Sequence, residues 1–134
     1  MVNSGLKGDQ VSIISILGAS GRLKNTLNGK EAHAYAIKLG FVSDIQVANS
    51  LIDMYAKCSQ VSYMDRVFKN MVDRDVISWT TVIAGFAQNN HYRDALDMFR
   101  EVKFEGVEME VMMIGSVLLA CSSLKPISHV TEKH

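Results

Sequence analysis

Residues 45–75 read IQVANSLIDMYAKCSQVSYMDRVFKNMVDRD, and residues 76–110 read VISWTTVIAGFAQNNHYRDALDMFREVKFEGVEME. Both stretches carry two helical faces separated by a polar break. In the first, apolar residues stand at 45, 47, 48, 51, 52, 54, 55 and 56, a broad face that suits a helix packed on both neighbours. Cys58-Ser59-Gln60 interrupts it, and a second face follows on Val61, Met64, Val67, Phe68 and Met71. The next stretch repeats the plan. Val76 to Gln88 predicts one helix, Asn89-Asn90 the turn, and His91 to Phe104 the second helix. That second helix turns Tyr92, Ala95, Leu96, Met98, Phe99 and Val102 to one side, and Gly106 stops it.

The same plan extends to both sides. A small hydroxyl residue followed by two aliphatics occurs at Ser15-Ile16-Leu17, Ser50-Leu51-Ile52, Thr81-Val82-Ile83 and Ser116-Val117-Leu118, spaced by 35, 31 and 35 residues. Asp9, Asp44, Asp75 and Glu110 each stand six residues before such a hydroxyl and repeat at the same intervals. His33 and His134 are 101 residues apart, the sum of the three. Each aspartate is placed to cap the free N–H groups of a following helix; Glu110 is a poorer cap because its side chain is longer. A helix pair this short cannot bury its apolar face alone, so the pairs must stack. The fold class is therefore all-α, an α-solenoid of helix-turn-helix repeats.

Composition agrees with that architecture. The chain has 134 residues, 48% of them hydrophobic, enough for a core. One proline favours long helices over a turn-rich β fold. The two cysteines, Cys58 and Cys121, are too far apart in the chain for a metal knuckle and too few for a disulfide framework. Fourteen basic and fourteen acidic residues cancel, which excludes a simple basic nucleic-acid glue. No apolar run approaches the ~20 residues a membrane span requires. The segment Val111 to Cys121 is interrupted by Gly115 and Ser116. The first ten residues lack the pattern of a targeting peptide, so an organellar address would lie outside this chain.

Tandem helix pairs whose lengths alternate in this way resemble the pentatricopeptide repeat family, and within it the plant P-L-S subclass. Asn49-Ser50-Leu51-Ile52-Asp53-Met54-Tyr55-Ala56-Lys57-Cys58 with the closing Arg74-Asp75 is similar to an S motif over residues 45–75. Residues 76–110 are similar to a P motif. Gly29-Lys30-Glu31-Ala32-His33 and Lys38-Leu39-Gly40-Phe41 are typical of an L motif over 10–44. Residues 111–134 begin another L motif, and residues 1–9 resemble the tail of a P motif. Tetratricopeptide repeats keep one constant length and carry a Trp…Leu-Gly…Tyr pattern and a closing proline that are absent here.

The resemblance implies a right-handed superhelix that binds single-stranded RNA in a plant organelle. Longer members of the subclass recognise sites of cytidine-to-uridine editing, with editing-complex proteins as partners. One base is read per repeat, mainly by the fifth residue of the first helix and the last residue of the repeat. Those positions are Asn49 with Asp75, Thr80 with Glu110, Ile14 with Asp44, and Gly115. Asn49 with Asp75 implies a pyrimidine, uridine favoured. Thr80 implies a purine, although Glu110 departs from the usual closing aspartate or asparagine. Ile14 and Gly115 have no side-chain donor or acceptor, so the L repeats read little. The second residue of each first helix wedges between bases: Val11, Ile77 and Met112 fit, and Gln46 departs. Asn49 stands inside a helix, where asparagine is mildly unfavourable and no cap calls for it.

Other prominent residues have plainer roles. Trp79 is in phase with Val82 and Ile83 and belongs in the inter-helix core. The eight methionines are core fillers. Cys58 and Cys121 are buried free thiols. His33, His91, His129 and His134 have no metal-binding partners, and no cofactor is expected. Cytidine deamination needs a His-x-Glu and a Cys-x-x-Cys, neither of which occurs, so the chain carries no catalytic residues. A deaminase, if the protein has one, lies outside the chain or on a partner. The competing expectation is a tetratricopeptide-like protein-interaction scaffold, which the zero charge favours. Localisation is expected in the plastid before the mitochondrion, and self-association through uncapped solenoid ends at high concentration.

Overall fold

The computed structural model describes residues 2–105, which form six α-helices and a short 3-10 turn. The helices are α1 (Val2–Leu23), α2 (Thr26–Leu39), α3 (Ile45–Lys57), α4 (Val61–Asn70), α5 (Val76–Gln88) and α6 (Tyr92–Glu105), with the 3-10 turn at Phe41–Ser43. No strand occurs among the described residues. Three of the helices, α1, α3 and α5, lie side by side; α2, α4 and α6 each pack on the helix before them. Helices α2 and α4 also touch the next helix in the chain. This is an all-α helical repeat fold, and the predicted bounds of α5 are those observed.

The core runs through the stack as one cluster. Ile13 and Leu17 of α1, Leu51, Ile52 and Tyr55 of α3, Phe68 of α4 and Trp79, Val82 and Ile83 of α5 are all buried. The Trp79 ring meets Phe68 edge-on with centroids 4.8 Å apart, a favoured aromatic geometry. Met54, Met64 and Cys58 are buried fillers, as their spacing predicts. Two glycines let helices approach closely. A methyl group on Gly29 of α2 would collide with the Met54 thioether, and one on Gly85 of α5 would collide with Met64 and stand 3.0 Å from the Ala56 methyl.

The turns joining each pair have one geometry. Lys24, Ser59 and Asn90 all adopt left-handed backbone, at φ 56, 62 and 67°. In each turn the next residue's N–H reaches back 2.8 Å to a carbonyl of the preceding helix: Asn25 to Ser20, Gln60 to Tyr55, His91 to Phe86. This is the Schellman closure that satisfies orphan carbonyls at a helix end. Lys24, Ser59 and Asn90 recur at the intervals that separate Asp9, Asp44 and Asp75, so the structural period is the period of the sequence.

One expectation is corrected. Asp9 does not precede a helix but lies inside α1, which is continuous from Val2 to Leu23. No proline or left-handed residue interrupts the backbone there, and the helical ladder itself supplies the partners that a cap at residue 9 would supply. The second L segment at 111–134, with Cys121, His129 and His134, lies outside the described residues, as does Gly106.

Candidate functional site

The junction between α4 and α5 is held from below by Arg74. Its Nε and Nη2 donate to the Phe68 carbonyl at 3.2 and 2.9 Å, closing the end of α4. The guanidinium lies 4.0 Å from the centre of the Phe68 ring and 5.4 Å from that of Trp79. This pins the extended linker and delivers Asp75 to the first turn of α5.

There Asp75 caps the helix. Its Oδ1 accepts the Ser78 backbone N–H at 2.8 Å, and the Ser78 hydroxyl accepts the Asp75 N–H at 3.2 Å, a reciprocal capping box. The same atoms continue across to α3. Asn49 Nδ2 donates to Asp75 Oδ1 at 3.2 Å, and the Ser78 hydroxyl donates to Asn49 Oδ1 at 2.6 Å. The hydroxyl also lies 2.9 Å from Asp75 Oδ1, which competes for its single hydrogen. Burial works to raise the Asp75 pKa, but the bonds from the Ser78 backbone, the Ser78 hydroxyl and the Asn49 amide outweigh it and hold the carboxyl below its ordinary value. The carboxylate is thus the ionised, acceptor-only member of the network.

The structure thereby brings Asn49 and Asp75 together, and it adds Ser78, which the sequence reading missed. The capping box itself is made by Asp75 and Ser78, and the Asn49 amide is bonded to both of them from α3. Ser78 stands three residues after a capping aspartate, the spacing of a capping box, and that spacing is the signal that was available.

At the preceding junction the pairing differs. Asp44 caps α3 through Oδ1 to the Val47 N–H at 3.1 Å, while Oδ2 accepts from Gln10 Nε2 at 2.8 Å. Ile14, the expected partner, is apolar and packs partly buried against the core. Gln10, one helical turn earlier on the same face of α1, supplies the amide.

The positions expected to wedge between bases are open to solvent: Val11, inside α1, is 63% exposed, Ile77, the second residue of α5, is 55% exposed, and Gln46, the second residue of α3, is exposed. Thr80 is buried, at 4%. Glu110, Met112 and Gly115 lie outside the described residues. One face of α1, α3 and α5 therefore presents Val11, Gln46 and Ile77 near the two carboxylate–amide pairs.

A groove of about 380 Å³ lies elsewhere, lined by residues of α2 and α4 and of the segments after them, including His33, Val42, Tyr63, Arg66 and Val72. Burial lowers the pKa of His33 and pushes the Tyr55 hydroxyl up to about 12, and the two side chains share a hydrogen bond of 2.7 Å between His33 Nδ1 and the Tyr55 hydroxyl. Tyr63 stacks on Tyr55, and Lys30 donates to the Tyr63 hydroxyl at 3.2 Å. Among the described residues no group of His, Cys, Asp and Glu could hold a metal ion. No helix among them is long and apolar enough to cross a membrane.

Comparison with known proteins converges on one repeat. The model of the PPR repeat matches residues 47–76 and 77–107. A chloroplastic pentatricopeptide repeat-containing protein of Arabidopsis thaliana is 52% identical over 134 residues, all of this chain and 14% of that protein. A mitochondrial pentatricopeptide repeat-containing protein of Arabidopsis thaliana is 35% identical over 122 residues, 91% of this chain and 16% of that protein. The crystal structure of the pentatricopeptide repeat protein PPR10 from maize superposes with a TM-score of 0.70 at 27% identity, covering 91% of this chain and 18% of that one. The chain thus spans less than a fifth of each of these relatives.

Proposed function

This chain belongs to the pentatricopeptide repeat family, and from that premise we propose that it recognises single-stranded RNA by sequence, as part of a longer array. The observation that carries this reading is the network joining Asn49, Ser78 and Asp75. Its amide keeps a free N–H and a free oxygen lone pair among the described residues, a donor beside an acceptor, which suits the Watson–Crick edge of an unstacked base. Exposed Val11 and Ile77 give apolar surfaces on which neighbouring bases rest.

The repeats are taken as 10–44, 45–75 and 76–110, with partial units at 1–9 and 111–134. The 45–75 unit reads uridine through Asn49 and Asp75. Gln10 replaces Ile14 as the polar partner of Asp44, so the 10–44 unit offers an amide too. The role proposed for the whole protein is site recognition in organellar cytidine-to-uridine editing, within the P-L-S subclass. The chain supplies recognition and no catalysis. Relatives named chloroplastic and mitochondrial support a plastid or mitochondrial location.

Fluorescence anisotropy with oligonucleotides that differ only at the base opposite the 45–75 unit tests the reading at low salt. Uridine is expected to bind best, and weakly overall, because a chain of zero net charge recruits few phosphates. Equal binding of all four bases, or a longer array that binds no RNA, would refute it.

One observation favours a second reading, a protein-docking scaffold. Val42 and Val72 line the groove beside α2 and α4 and are 40% and 95% exposed. Exposed Leu27 and Tyr35 of α2 also offer surface for self-association at high concentration. Sedimentation as a single monomer over a wide concentration range would exclude self-association.

A further inference from the structure

We propose that the groove beside α2 and α4 docks a segment of another protein that carries aliphatic side chains next to one carboxylate, and that Arg66 receives the acid. The inference rests on the protein-docking reading given above and names the chemistry of the partner.

The groove has its origin in the unequal length of the second helices. Helix α4 has 10 residues, where α2 and α6 have 14 each. The difference is about one helical turn. Where that turn would continue, the chain leaves the helix at Met71 with extended backbone, and Val72 and Asp73 line the groove. Ile37 of α2 and Val42 of the 3-10 turn line it too, and the buried Leu51 of α3 is part of its wall. Three of these aliphatic residues face solvent: Val72 is 95% exposed, Ile37 57% and Val42 40%. Exposed aliphatic side chains gathered on one concave surface mark an interaction site, whereas scattered ones do not.

The charged groups choose the occupant. Lys69, the other basic residue of α4, is paired with Asp65, and Arg74 is held by the Phe68 carbonyl. Arg66 lines the groove, is exposed, and has no carboxylate partner among the described residues. Its guanidinium lies 5.8 Å from the centre of the Tyr63 ring, and the Lys30 ammonium lies 4.4 Å from the same centre. Two cations thus flank one ring, a place that attracts an acid and suits the fork of the guanidinium. Asp73 lines the groove from the segment after α4 and repels a second acid. The partner therefore carries its carboxylate at one end of its aliphatic run. RNA fits this surface poorly. The rings on the groove, His33 and Tyr63, both pack against Tyr55, and Lys30 approaches Tyr63 as well, so little ring surface is left for a base to stack on.

The test uses the whole 134-residue chain and a pair of short fluorescein-labelled peptides with blocked ends. One has a leucine pair beside a glutamate; the other has lysine in place of the glutamate. Fluorescence anisotropy at low salt is expected to show the glutamate peptide binding about tenfold tighter than the lysine peptide. Arg66→Glu is expected to reverse that order, and Arg66→Gln to shrink the difference. Val72→Asp is expected to weaken the glutamate peptide about tenfold by spoiling the aliphatic wall. Both positions are exposed, and circular dichroism checks that the variants keep their helices. In 15N–1H spectra the glutamate peptide is expected to move the backbone resonances of Val42 and Val72 and to leave that of Val11. A peptide order that Arg66→Glu leaves unchanged would overturn the proposed chemistry. So would a lysine peptide that binds the parent chain as well as the glutamate peptide and is still weakened by Val72→Asp, but docking at the groove would then stand. Binding of neither peptide would overturn docking itself. Displacement of the glutamate peptide by unlabelled oligouridylate would assign this surface to RNA and overturn the proposal as well.

Discussion

Asn49 and Asp75 stand 26 residues apart in the chain, yet the amide nitrogen of one lies 3.2 Å from the carboxylate of the other across the gap between α3 and α5. Asp75 is also the N-cap of α5. The atom that starts the helix is therefore the atom that receives the Asn49 amide, so helix capping and the proposed base reading share one carboxylate and can be separated only by choosing the partner to remove.

Asp75→Ala removes the cap and the capping box together. It is expected to destabilise the chain by about 1 kcal/mol. Asn49→Ala leaves the Ser78 hydroxyl free to donate to Asp75, so its effect on stability is smaller, about 0.5 kcal/mol, while its uridine preference is lost. Urea denaturation of the two variants checks the order; a larger stability loss in Asn49→Ala would contradict it.

The Asp75 carboxyl titrates below its ordinary value in the folded chain. A group depressed in this way contributes stability that is fully present above its unfolded pKa and disappears as pH falls through its folded pKa. The stability difference between the parent chain and Asp75→Asn should therefore hold steady near neutral pH and shrink below about pH 4. A difference that grows on acidification would reverse the assigned sign.

Gly85 faces Met64 and Ala56 where α5 crosses α3 and α4. Met64 is fully buried. Gly85→Ala is expected to cost about 1–3 kcal/mol through overpacking, despite the better helix propensity of alanine. Thermal unfolding measures it, and a stabilised variant would show that Met64 yields.

Ser59 and Lys24 hold left-handed backbone without being glycine. That conformation strains an L-residue by roughly 1–2 kcal/mol, part of which glycine returns as entropy of the unfolded chain. Ser59→Gly and Lys24→Gly are each expected to stabilise the chain by about 0.5 kcal/mol. A loss of stability in both would mean that these side chains make contacts that outweigh the strain.

Much of this architecture was legible because it is local. Helical periodicity located α3, α4, α5 and α6, and the polar breaks located the turns. The caps at Asp44 and Asp75 act over three residues. The same local logic failed at Asp9, where helix continues through a position that carries the sequence marker of a boundary. A cap residue marks a helix start only where the backbone leaves the helix before it.

What the sequence determined alone is the unit and its period: two helices, an apolar core that includes Trp79 and Phe68, and a register that Asp44 and Asp75 mark at the unit boundaries. These follow from interactions within a few residues and from the burial of one face, both of which leave a periodic trace. The tertiary structure decided the partners. Gln10 meets Asp44 across 34 residues, Ser78 meets Asn49 across 29, and Arg74 spans two aromatic rings to aim Asp75. Such contacts depend on how far each side chain reaches and which hydrogens it has left to give. Those quantities exist only once α1, α3 and α5 lie side by side, and no spacing along the chain records them.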